Sequence, residues 1–249
     1  MSITPIQKYN LPVTGAALDT LKMIAAFLMV VDHYNTVVLG GAVVEMFFAG
    51  RVVFPLFCYA AACAVLRAGL HRANDLAIRL LILALLVAPV TQAVFSLGTP
   101  QLNVLFTLAA SMALIPWMDK ASSYVRATAF VAAILLSYLP NQWEFGFPGI
   151  LLPSAIYLFM TRGGWNFIWV FLMAFAINFS GAGDILSNIS PTLWTKFLPA
   201  PFFSILVPVG LIYICASIPG QQRLLGKYFL HAFYPAHLVI LYVTGLMVN

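Results

Sequence analysis

Residues 49–69, AGRVVFPLFCYAAACAVLRAG, carry two charged side chains in a run long enough to cross a bilayer. A spanning helix needs about 20 mostly apolar residues, because nothing in hydrocarbon can satisfy an open backbone. On that criterion the sequence predicts nine such segments, at roughly 17–38, 49–69, 76–96, 102–118, 124–140, 145–161, 164–180, 199–218 and 227–247. The sixth and seventh are short, so eight is the alternative count. The expected fold is all-α: a polytopic membrane bundle forming a single domain over residues 1–249. No internal repeat and no polar linker divides it. Composition agrees, since 8% of residues are charged and 63% hydrophobic, against about 25% charged in a soluble domain. The opening MSITPIQKYNLPVTGA has no basic start, apolar run and small-residue cleavage site, so the first span is expected to stay in the protein.

Loop charges predict the orientation. Lys8 and Lys22 flank the first span, and Arg67, His71, Arg72 and Arg79 follow the second. Lys120 and Arg126 follow the fourth, Arg162 the sixth, Arg223 and Lys227 the eighth. With alternating spans all fall on one side, while the other side has Arg51 and Lys196 with Glu45, Glu144 and Asp184. Cations collect in cytoplasmic loops, which puts the N-terminus in the cytoplasm and the C-terminus outside. This also explains the net charge of +5, so no nucleic-acid partner is expected. Cys58, Cys63 and Cys215 lie in apolar spans without metal-ligand spacing and read as packing residues. No metal is expected. Residues 181–198, GAGDILSNISPTLWTKFL, read as an amphipathic segment on the membrane surface. Their GAGD lacks the strand and glycine spacing of a phosphate loop.

Ionisable groups inside spans are costly and mark function. Asp32 and His33 lie about 21 Å along the first span, in its outer third, pointing 100° apart. Lys22 shares a face with His33, and Asn35 lies near the same end. Arg51 enters the second span at a similar depth, where an ion pair with Asp32 would lower the cost of both charges. That pair reads either as a device fixing helix register or as part of a site. Asn103 opens the fourth span from outside. In the last span, HAFYPAHL places His231, Tyr234 and His237 three residues apart around Pro235. A lone membrane histidine is as often an interhelical hydrogen bond as a site, but two histidines, a tyrosine and a proline favour a site. These residues outline a polar pocket that opens outward.

The segments LKMIAAFLMVVDHYN, AGRVVFPLF, LNVLF and FYPAHL together resemble the TraX family, the pilin acetylases of F-type conjugative plasmids. The matching positions are Lys22, Met29, Asp32, His33 and Asn35; Gly50, Arg51, Phe54, Pro55, Leu56 and Phe57; Asn103, Leu105 and Phe106; Phe233, Tyr234, His237 and Leu238. They run in order along almost the whole chain, although residues 120–220 match only in hydropathy. The resemblance implies an N-terminal acetyltransferase of the bacterial inner membrane. Its donor would be acetyl-CoA, and its acceptor the N-terminal alanine of a mature pilin.

Acyl transfer to an amine needs a base near neutrality, and His33 is the expected base. Asp32 would orient a donor or hold the substrate ammonium, with Asn35, Tyr234 and Lys22 as further substrate contacts. Arg51 or Asn103 would stabilise the oxyanion, and His237 would lie on a path toward the centre. Arg67, Arg72, Arg79, Arg223 and Lys227 are candidates for the CoA phosphates, although orientation alone also explains them. Two rival functions fit the same residues: a proton-coupled transporter, and a non-enzymatic pilin-assembly factor.

Overall fold

A computed structural model describes residues 13–95, 102–137, 143–179, 198–220, 222–226 and 228–248. Lys227 and all of the amphipathic 181–198 segment except Leu198 lie outside them. The described residues are all-α, with one isolated bridge, Leu102 to Trp143. Among the described residues, nine α-helices follow in order: α1 (Gly15–Val37), α2 (Val44–Ala68), α3 (His71–Val94), α4 (Val104–Lys120), α5 (Ser123–Leu136), α6 (Gly146–Arg162), α7 (Asn166–Ala176), α8 (Ala200–Ala216) and α9 (Phe229–Val248). Each coincides with one expected apolar segment. The largest differences are at the starts of α2 and α3, five residues earlier than expected. Hydropathy reports where hydrocarbon begins, whereas a helix runs on through polar turns such as the HRAND that opens α3.

Among the described residues, three helices, α2, α3 and α9, are long and apolar enough to cross a membrane. On α3, Ile78, Ile82, Leu85 and Leu86 are exposed. Their spacing makes a stripe on one side of the helix, pointing away from the bundle as a lipid-facing surface does. The core instead gathers Leu18, Leu21, Phe54, Leu56, Met112, Ile115, Met118, Leu152 and Leu158, all fully buried. α2 packs against α1, α6 and α8, while α9 packs against α3 and α1.

α4 starts below the end of its neighbour. The Asn103 amide donates to the Ala84 carbonyl at 3.4 Å, ten residues or about 15 Å before the end of α3. Beside it runs the short irregular stretch Trp143–Phe145. Non-helical backbone at such depth survives only where its polar groups are satisfied or face a cavity, and these are satisfied. The Glu144 N–H donates to the Leu102 carbonyl at 3.1 Å, and the Thr107 hydroxyl donates to the Glu144 carbonyl at 2.7 Å.

Candidate functional site

A cavity of about 630 Å³ runs among α1, α2, α3, α4 and α9. One end is basic, lined by Lys22, Arg67, Arg72 and Arg223 with His71 and Asp75. The other end holds Asp32, His33, Glu144 and Tyr234. Between them the wall is apolar, made by residues such as Ala60, Ala64, Leu80 and Leu108. Lys22 and His33 are eleven residues apart on α1, so the cavity extends about 17 Å along the helix.

His33 and His237 meet directly, Nδ1 to Nε2 at 3.0 Å, with their rings stacked. Hydrogen-bond logic fixes the tautomers of the neutral pair. The Phe233 carbonyl, 3.1 Å from Nδ1 of His237, can only accept. That nitrogen therefore carries the proton, and its Nε2 accepts from His33 Nδ1–H. Nε2 of His33 is left with a free lone pair. Edge contacts hold both rings: Phe95 stands against His33 at 5.1 Å, and Tyr234 against His237 at 5.3 Å. His237 was expected only nearer the centre of the membrane. α9 instead brings it into contact with the candidate base.

Asp32 points elsewhere, as consecutive helical residues must. It packs onto Gly50 of α2 so closely that a Cβ there would overlap its carboxylate. The expected Arg51–Asp32 ion pair does not form among the described residues. α2 meets Asp32 with Gly50, and the next residue turns 100° away. The Arg51 guanidinium lies over the Phe47 ring at 4.7 Å and near the Phe145 ring at 5.8 Å. Its Nε is buried without a partner, and Arg51 is not part of the cavity wall. Gly50→Ala is expected to push the Asp32 carboxylate out of place and abolish the function of the site. The check is to compare activity with the amount of folded protein in the membrane, which should fall far less.

Other expected site residues have structural duties. Asn35 uses its amide twice on Val43, donating to the carbonyl at 2.9 Å and accepting from the N–H at 3.0 Å. It closes the α1–α2 turn and does not line the cavity. Asn103 caps α4, accepting from the Leu105 N–H at 3.0 Å, and it too is absent from the wall. Lys22 lines the basic end, far along α1 from His33, and pairs with Asp19 at 3.0 Å. Arg67, Arg72 and Arg223 all reach the wall, whereas Arg79 does not.

Two residues escaped the sequence reading. Glu144 was counted only as a loop charge, yet it lines the cavity with Asp32. The charges of Arg51 and Asp32 act on its carboxylate. The turn that presents it is strained: Phe145 sits at φ 64°, which costs a bulky residue about 1 kcal/mol or more. Gly149 makes room, since a Cβ there would lie 2.6 Å from that of Phe145. Asp19, nearly inaccessible at 1% exposure, was overlooked in the first span. It accepts from the backbone N–H groups of Leu224 and Leu225, each at 3.0 Å. Arg223 stands 3.8 Å away. Asp19 thereby fastens the strap before α9 to the start of α1. An aspartate three residues before Lys22 in an apolar span was the signal for it.

The profile of a family described as "TraX protein" matches residues 17–245, nearly the whole chain. The chain belongs to the TraX family. That membership is consistent with a role in pilin processing during conjugation, and with helices long and apolar enough to cross a membrane. The family match takes in every wall residue of the cavity, from Lys22 to Tyr234. No curated protein and no solved structure matches.

Proposed function

We propose that this chain is an acetyltransferase of the bacterial inner membrane, moving acetyl from acetyl-CoA to the N-terminal amine, an alanine, of mature pilin. The observation that carries the proposal is the cavity joining a cluster of cations to a histidine with a free lone pair. Arg67, Arg72 and Arg223 suit the phosphates of the donor. The apolar middle suits its arm, about 15–20 Å long when extended, against a hydrocarbon core of about 30 Å. With the loop charges, the basic end faces the cytoplasm, where acetyl-CoA is made. Reporter fusions at residue 249 should then read as outside, and a cytoplasmic signal would reverse the orientation.

An α-amine has a pKa of about 7.7–8.0, so a useful fraction is neutral at working pH. Asp32 and Glu144 attract the amine in its ammonium form to the far end. Once neutral, its nitrogen attacks the thioester carbonyl, and His33 Nε2 takes a proton as the N–C bond forms. The Nδ1–H···Nε2 bond to His237 steadies the resulting imidazolium. Collapse of the tetrahedral intermediate breaks the C–S bond, and the imidazolium returns the proton to the leaving thiolate. The products are an N-acetylated peptide and free thiol.

The test is purified protein with labelled acetyl-CoA and a peptide bearing the pilin N-terminus. Label in the peptide is the expected result. Flux of a solute without transfer would instead support the transporter, and peptide binding without transfer the assembly factor.

A further inference from the structure

The oxyanion formed in the transfer above needs a donor, and neither residue expected for that role is in place. Arg51 is not part of the cavity wall, and Asn103 spends its side chain on the Leu105 N–H and the Ala84 carbonyl. The cations of the wall, Lys22, Arg67, Arg72 and Arg223, stand at the end away from His33. At the reactive end Asp32 and Glu144, when ionised, only accept. Tyr234 carries the one hydroxyl among the described wall residues. That hydroxyl makes no hydrogen bond among the described residues, yet it is not one of the buried polar atoms shut off without a partner. It therefore keeps open surface, which in a wall residue only 6% exposed is surface toward the cavity. Glu144 lies near enough for its charge to act on the tyrosine, but no bond joins the two, so the O–H is still free to donate.

Its placement suits the reacting carbonyl. Tyr234 lies three residues before His237, about 4.5 Å along α9 toward its N-terminus, and helical side chains lean the same way. The basic end lies in that direction, with Arg223 on the strap before α9. A thioester entering from the basic end passes Tyr234 on its way to His33. The tyrosine ring stands edge-on to His237 at 5.3 Å, and His237 bonds His33. We propose that the Tyr234 hydroxyl is the oxyanion donor of the acetyl transfer, a catalytic residue in contact with the reacting carbonyl. As the N–C bond forms, the carbonyl π pair moves onto oxygen, and the Tyr234 O–H hydrogen bonds to it while keeping its proton. The pair returns as the C–S bond breaks, and the thiolate leaves with the proton from His33. This inference rests on the acetyl-transfer reading.

Two donors and one substitution test it, with an alanine-terminated peptide as acceptor. Tyr234→Phe keeps the ring and its packing and removes only the hydroxyl. With acetyl-CoA, kcat should fall by about 10²–10³-fold, the usual loss of one oxyanion donor, while KM for acetyl-CoA changes little. The second donor is the dithioester analogue of acetyl-CoA, in which sulfur replaces the carbonyl oxygen. Sulfur accepts hydrogen bonds weakly, so the same substitution should cost this donor at least about tenfold less. A Phe variant with wild-type kcat overturns the proposal while leaving the transferase intact. Equal losses with both donors also overturn it, because a purely structural role would not distinguish oxygen from sulfur. If the variant fails to fold, the wild-type protein serves alone. Its preference for acetyl-CoA over the dithioester should exceed that of the uncatalysed reaction with the same peptide, and an equal preference overturns the proposal. A wild-type protein inactive with both donors overturns the acetyl-transfer reading, and this inference with it.

Discussion

His33→Ala should lower acetyl transfer by about 10²–10⁴-fold, the usual contribution of a positioned general base. The protein should still reach the membrane in normal amount, because the ring is replaced beside a cavity rather than in a packed core. The intact mass of pilin from cells carrying the variant gives the result: unmodified subunits are expected. Fully acetylated pilin would remove His33 from the mechanism. His237→Ala is the informative companion. It removes the acceptor of the Nδ1–H bond at 3.0 Å, so the proton on His33 is no longer held at Nδ1 and part of the population presents Nε2 protonated. A smaller loss than for His33→Ala is expected. Equal losses would make His237 an equal partner in the chemistry.

Asp19→Ala should damage the other end of the cavity. The carboxylate is buried and holds Lys22 at 3.0 Å as well as two backbone N–H groups. Removing one partner from such a buried arrangement costs about 3–5 kcal/mol, because Lys22 loses its counter-charge and the Leu224–Leu225 strap its acceptor. The melting temperature of detergent-solubilised protein should fall by about 10 °C. In protein that stays folded, the strap carrying Arg223 is released from α1. The KM for acetyl-CoA should rise several-fold, while kcat at saturating donor changes little. Asp19→Asn keeps an acceptor but not the charge, and should fall between the two. An unchanged melting temperature in the alanine variant would mean that the strap is held by something other than Asp19.

The nine apolar segments, their order and their bounds to within a few residues were legible in the sequence. The reason is physical: a backbone in hydrocarbon must close its own hydrogen bonds, so composition alone dictates helix. Local spacing also foretold that Asp32 and His33 diverge and that Tyr234 and His237 touch. The partners of those residues were not legible. Arg51 and Asp32 lie at similar depth on adjacent helices, but the rotation of α2 about its axis decides whether Arg51 or Gly50 faces the carboxylate. Hydropathy is blind to rotation. Asn35 and Asn103 have the composition of site residues, and only the approach of Val43, Leu105 and Ala84 shows their amides to be spent on backbone. Glu144 sits in a stretch that reads as an ordinary outer loop, and it becomes part of the cavity because α4 starts deep beside α3. The sequence by itself determined a helical protein of the TraX family, with helices apolar enough to cross a membrane and ionisable groups within its apolar segments. Which of those groups share one chamber was decided by helix rotation and depth, which depend on side-chain packing between segments far apart in the chain.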